Sequence, residues 1–172
     1  YLADRNVLLL TDNCEHVIDA VASLLDEMRG RCPGVTVLAT SREALAVPDE
    51  VQVSVGPLDP APEGTPAPDV LDFSASQLFV ERARAVRPGM TFTPNELLAV
   101  GRIGRSLDGM PLALELAAAR VAAMSPLEIA DRLTDRFALL TNGARTAEAR
   151  QQTLRATVDW SYALLSEEEQ TV

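Results

Sequence analysis

The chain has 172 residues, 47% of them hydrophobic, and a formal net charge of −10 from 25 acidic and 15 basic residues. That length supports one core, or one and a half domains. Every basic residue is Arg and there is no Lys, so the phosphate-cradling loop G-x-x-x-x-G-K-[ST] cannot be present, and the acidic balance disfavours direct contact with a nucleic-acid backbone.

Aromatic residues make up only 4%, so the core must be built from Leu, Val and Ala. The longest apolar stretch, residues 112 to 124, is broken by Glu115 and Arg120 and is too short to span a bilayer. The opening Tyr1-Leu2-Ala3-Asp4-Arg5 lacks the apolar segment of a signal peptide. A cytoplasmic setting without a membrane partner is expected.

The first element is the apolar run Val7-Leu8-Leu9-Leu10, followed by Thr11 and Asp12. A continuous run of this kind predicts a strand buried on both faces of a parallel sheet. Ligands bind at the carboxyl ends of such strands. Asp12 stands where a carboxylate could hold Mg²⁺ beside phosphate oxygens, as in a Walker B segment. The same pattern also fits a core strand with Asp12 or Asn13 merely capping the next helix.

Val17, Ile18, Val21, Leu24, Leu25 and Met28 recur at helical spacing, and Gly30 is a stop signal. Pro33-Gly34 turns the chain into a second apolar strand, residues 35 to 40. This order predicts a right-handed parallel crossover. It brings Thr40-Ser41-Arg42 to the same rim as Asp12. Cys14 and Cys32 flank the predicted helix, whose ends are on the order of 22 Å apart. A disulfide needs Cα atoms within about 7 Å, so two free thiols are expected. His16 beside Cys14 lacks the spacing of a metal site.

Val51, Val53 and Val55 alternate with polar residues and predict a half-exposed strand. Residues 56 to 72 are rich in Pro, Gly and Asp and predict a linker or long surface loop with no packed element. Beyond it the pattern is helical. Capping boxes are predicted at Ser74–Gln77, Thr93–Glu96, Ser125–Glu128 and Ser166–Glu169. Pro111 opens a Leu- and Ala-rich helix, and a later helix carries Val158, Trp160 and Tyr162. The predicted organisation is 1–56, the second half of an α/β domain; 57–73, a Pro-rich linker; 74–143, a helical domain; and 144–172, the start of a further domain.

Four motifs occur in order: Leu10-Thr11-Asp12-Asn13-Cys14-Glu15-His16; Thr40-Ser41-Arg42-Glu43-Ala44-Leu45; Leu107-Asp108-Gly109-Met110-Pro111, continuing to Arg120; and residues 153 to 162, ending Trp160-Ser161-Tyr162. The ordered set resembles the NB-ARC or STAND-type signal-transduction ATPases of bacterial LuxR-type and antibiotic-regulator-type transcriptional regulators. The resemblance covers nearly the whole chain. It implies an α/β fold: the C-terminal part of a P-loop NTPase parallel sheet, then an all-α helical domain and the start of a winged helix. It implies a switch between ADP and ATP controlling transcription. Asp12 would be the Walker B carboxylate and metal ligand, and Arg42 the sensor of the terminal phosphate, both catalytic in role. Thr40, Gly109 and Pro111 would complete the nucleotide site, with Gly109 and Pro111 in the turn packed by adenine.

The resemblance also implies partners: an upstream segment carrying the phosphate loop, downstream sensor repeats or a DNA-binding domain of the same protein, and a homo-oligomer formed on ATP binding. ATP or ADP and Mg²⁺ are expected for the full-length parent and no tight nucleotide for this segment alone, which lacks the loop. Many relatives carry a second acid after the Walker B Asp, where this chain has Asn13; a neutral amide cannot act as a general base. At most a slow ATPase is expected. Two readings stay open beside this one. Arg42 could be a surface ion pair to Glu43 or Asp12, and the chain could be a helical protein-interaction module without a nucleotide of its own.

Overall fold

The structure, a computed structural model, describes residues 2–140. The expected winged-helix start at 144–172, with Trp160, Tyr162 and the Ser166–Glu169 box, lies outside the described residues. The chain forms two compact units that divide between Val55 and Gly56.

In the first unit, strand β1 (Val7–Thr11) leads through a short 3-10 turn (Cys14–His16) into helix α1 (Ile18–Arg31) and then strand β2 (Val35–Ala39). The strands pair in parallel, in register from Val7 with Val35 to Thr11 with Ala39. Parallel neighbours cannot be joined by a hairpin, and α1 supplies the crossover that they need.

Three expectations change here. The strands are not buried on both faces. Leu8, Leu10 and Leu38 are 60%, 66% and 59% exposed, because side chains alternate across the pleat and only one set is half-buried. Asn13 does not cap α1. It sits in the left-handed region at φ 62°, a conformation that Asn tolerates better than most residues, and α1 begins after Val17 with no side-chain cap. Residues 51 to 55 form no strand, and Val51, Val53 and Val55 are more than four-fifths exposed. Alternation proposes a strand, but among the described residues no strand pairs with it, so there is no ladder.

The second unit contains helices α2 (Ser74–Val86), α3 (Pro94–Ser106), α4 (Pro111–Ala119) and α5 (Pro126–Leu140). Helix α2 packs on α4, and α3 on α5. Phe79, Ile103, Leu107, Leu114, Val121, Ile129 and Leu133 are fully buried between them. Each such side chain contributes roughly 1.5–3 kcal/mol of burial, and small residues such as Ala75, Ala83, Ala113 and Ala117 let the helices approach. Thr93 and Glu96 form the expected reciprocal capping box at α3. Ser125 and Glu128 do the same at α5. Among the described residues, no helix is long and apolar enough to cross a membrane.

The Pro-rich stretch is packed, contrary to the reading of 57–73 as a linker. It carries a 3-10 turn (Ala67–Asp72), and both Ala61 and Val70 are buried. Proline removes a donor but leaves its carbonyl, and the helices donate to these carbonyls. Arg105 Nη1 donates to the Ala61 and Pro62 oxygens at 2.6 and 3.2 Å. The Ala75 amide donates to the Asp59 oxygen at 3.1 Å, and in the other direction the Leu58 amide donates to the Gly109 oxygen at 2.9 Å. Ser74 was expected to cap α2. Its Oγ instead accepts from the Asp59 amide, while Gln77 donates to the Leu71 carbonyl.

Candidate functional site

Asp12 and Thr40 each follow the last residue of a strand, β1 ending at Thr11 and β2 at Ala39. The parallel register puts those ends side by side. Four hydrogen bonds then converge on Thr40. Its amide donates to the Thr11 oxygen at 2.9 Å, and its carbonyl accepts from the Cys14 amide at 3.0 Å. Its hydroxyl donates to the Asp12 carboxylate and accepts from the Asn13 amide at 3.0 Å. The left-handed turn at Asn13 aims that amide at β2. Thr40 therefore fixes the orientation of Asp12, whose residue remains exposed to solvent.

Arg42 lies two residues further on and is not paired with Glu43 or Asp12. Its Nε donates to Glu15 Oε1 at 2.9 Å. The guanidinium side chain is 70% exposed, whereas the Glu15 side chain is only 10% exposed. A hydrogen bond from its own backbone amide, and then the Arg42 guanidinium, hold the Glu15 carboxyl below the usual carboxylate range against the opposing effect of burial. Cys14, between Asn13 and Glu15, turns inward and is buried. Both cysteines are free thiols.

The structure thus brings together Asp12, Thr40 and Arg42, and adds Glu15, to which the sequence alone assigned no role. The signal for Glu15 was its spacing three residues after Asp12, across a turn too short to carry it away. Gly109 and Pro111 belong to the second unit. Gly109, at φ +65°, closes α3 by donating its amide to the Gly104 oxygen at 3.0 Å. Pro111 begins α4 at its first position, where a missing N–H costs nothing, and is exposed.

The second unit also has an open cleft of about 430 Å³ lined by Pro62, Thr65, Val70, Leu98, Arg102 and Arg105. Arg105 is engaged with backbone carbonyls and Arg102 with Asp131 at 3.0 Å. No reactive group points the cleft towards a chemistry.

No protein-family model and no solved structure matches the chain significantly. Related sequences occur in mycobacteria. A protein of Mycobacterium tuberculosis, provisionally named an HTH-type transcriptional regulator, is 49% identical over 170 residues, covering 99% of this chain and 18% of the relative. A Mycobacterium bovis protein of the same description matches to the same extent. A second, uncharacterised M. tuberculosis protein is 45% identical over 163 residues, covering 95% of this chain and 39% of its own length. The chain therefore spans about a fifth of the length of the first relatives and is similar to one segment of them.

Proposed function

We propose that the chain is part of a nucleotide-switched regulator of transcription, in which the Asp12–Thr40–Arg42 rim takes the phosphates of ATP or ADP with Mg²⁺. The observation that carries the reading is the convergence of an exposed carboxylate and an exposed guanidinium at the carboxyl ends of two parallel, adjacent strands. Ligands of parallel sheets gather at that edge. The transcriptional part of the reading is supported by the name of the mycobacterial relatives.

Mg²⁺ in phosphate sites uses one or two carboxylates and otherwise waters and phosphate oxygens. One exposed carboxylate, held in a single orientation by Thr40, fits that requirement. Among the described residues no group of three or more His, Cys, Asp or Glu side chains offers a closed cage for another metal. A bound ion would supply positive charge that offsets the charge of the phosphates. Asp12 would hold the ion, Thr40 keeps Asp12 from rotating away, and Arg42 would offer its planar fork to phosphate oxygens. Asn13 supplies no base for hydrolysis, which suits a switch. The uncovered Leu8, Leu10 and Leu38 support a further layer on that face of the sheet, as parallel sheets have both faces covered, and the phosphate loop would come from elsewhere in the same domain.

The test is ATP and ADP affinity, with Mg²⁺, for the full-length protein and its variants. Asp12→Ala should weaken Mg²⁺-dependent ATP binding. Arg42→Ala should spare ADP and cost ATP about 10- to 100-fold, the equivalent of one charge-assisted hydrogen bond. That loss would move the switch towards its ADP state, since a ligand shifts an equilibrium only by its differential affinity. Equal losses for both nucleotides would mean that Arg42 does not read the terminal phosphate. No loss for either would leave it a surface ion pair.

A further inference from the structure

We infer that Glu15 is the positioning residue of this site: it grips the Nε edge of Arg42 and presents the two terminal nitrogens to the phosphate of a metal-bound nucleotide. The inference rests on the nucleotide reading above and names a part of that site which no sequence motif assigned.

The geometry is one-sided. Glu15 accepts from Arg42 Nε at 2.9 Å, and the terminal nitrogens make no other hydrogen bond among the described residues. A carboxylate competing with phosphate for Arg42 would be expected to occupy the fork, because bidentate pairing is the strong arrangement for guanidinium and carboxylate. Here the fork is left open, and the arginine side chain is 70% exposed while its holder is 10% exposed. The holder is itself fixed. Glu15 sits in the turn Cys14–His16, which is tied to β2 by the Cys14 amide on the Thr40 oxygen and anchored by the buried Cys14. A flexible side chain on the loop after β2 is thus referenced to the turn after β1, which begins two residues after Asp12.

The charges then select the ligand. Asp12 and Glu15 are negative and Arg42 is positive, so these three groups sum to one net negative charge, and the exposed Glu43 beside Arg42 adds to it. A bare polyphosphate gains little there. The same phosphate with a divalent cation brings positive charge to Asp12 and leaves its outer oxygens for Arg42. The expected ligand is therefore the metal complex and not the free anion.

Ordering one long side chain in advance is worth roughly a 3- to 10-fold gain in affinity. In the full-length protein with Mg²⁺, Glu15→Ala should lower ATP affinity by about that factor and spare ADP. In the Arg42→Ala background the same change should cost nothing further, because the residue acts through Arg42. Glu15→Gln, which keeps the shape and one acceptor, should fall between wild type and Glu15→Ala. Additive losses for Glu15→Ala and Arg42→Ala would overturn the inference, as would a gain in ATP affinity on removing Glu15, the mark of a competing latch. If neither Asp12→Ala nor Arg42→Ala affects either nucleotide, the nucleotide reading fails and takes this inference with it. If those two act and Glu15→Ala does not, only the positioning role falls. Should Glu15→Ala not fold, side-chain nitrogen NMR of the 172-residue chain keeps the question open to refutation. The Arg42 Nε proton should exchange slowly in wild type and faster in Glu15→Gln, and equal exchange would remove the contact on which the inference stands.

Discussion

Gly109→Ala should destabilise the helical unit severely, for a reason independent of any nucleotide. Gly109 has φ +65°, and an added Cβ would fall onto the Leu58 carbonyl oxygen and lie 2.9 Å from its carbonyl carbon. Both partners are backbone, so neither can swing aside. The left-handed conformation costs a non-Gly residue roughly 1–2 kcal/mol. Displacing Leu58 also breaks the bond from its amide to the Gly109 oxygen, worth about 1 kcal/mol. The sum is about 2–3 kcal/mol, or a fall in melting temperature of roughly 10–25 °C for a unit of this size. Gly89→Ala is the internal control. Its φ is +80°, but nothing lies within 4 Å of the added carbon, so it should show the conformational cost alone. The assay is urea unfolding followed by far-UV circular dichroism, without nucleotide. If Gly109→Ala costs no more than Gly89→Ala, the Leu58 contact is not holding the Pro-rich segment and the reasoning fails.

Thr93→Ala removes the capping box of α3 and should cost about 1 kcal/mol, read in the same unfolding assay. Native thiol titration should modify Cys32 first, because Cys14 is 2% exposed and Cys32 is only partly covered; both should react once the chain is denatured without reductant. Among the described residues, limited proteolysis should cut first within 46 to 55, where no helix or strand protects the backbone, and later within 57 to 73, which is bonded to the helices; mass spectrometry of the early fragments decides. The Glu128 carboxyl is held below its ordinary range by the Ser125 backbone amide and then the Ser125 hydroxyl. A folded-state value lower than the unfolded one gives stability that is present above the ordinary carboxylate range and lost as pH falls through the lowered value, so melting curves against pH should flatten at the acid end in Glu128→Gln.

Much of the helical unit was legible because its signals are local. Thr93-Pro94-Asn95-Glu96 contains its own cap, and Phe79, Ile103 and Leu114 mark apolar faces within single helices. The Pro-rich segment was misread because composition reports only what a stretch can do with its own backbone. It says nothing of the partners further along the chain: Arg105 and the Ala75 amide, which donate to its carbonyls, and the Gly109 carbonyl, which accepts from the Leu58 amide. Ser74 shows the same limit: a capping residue by pattern, it was recruited by Asp59, fifteen residues upstream. In the first unit the strands and their order were legible, whereas the exposure of Leu8 and Leu10 was not, since an apolar run does not reveal what covers it. At the rim, Asp12, Thr40 and Arg42 came from their position after apolar runs. The contact of Arg42 with Glu15 could not, because a pairing between two strand-end loops depends on register.

The residues carried by the family resemblance do not bear equal functional weight. Gly109 and Thr40 each have a complete local reason to be what they are. Only glycine fits under Leu58, and the Thr40 hydroxyl both donates to Asp12 and accepts from Asn13. A fold that never met a nucleotide could still require them. Arg42 has no such reason. Its side chain is largely in solvent, it covers no core, and its ion pair to Glu15 is of a kind that adds little to stability because water screens it and holding a long side chain costs entropy. Glu15 differs in part: its carboxylate accepts from its own backbone amide as well as from Arg42, so it has a local role in its turn beside the pair. A solvent-exposed arginine, referenced to the turn that follows an oriented carboxylate, has its clearest physical purpose in meeting something from outside the chain. For that reason the decisive variant is Arg42→Ala, and a stability measurement that found it neutral would strengthen the case for a ligand at the rim, whereas the same result for Gly109→Ala would weaken the account of the fold.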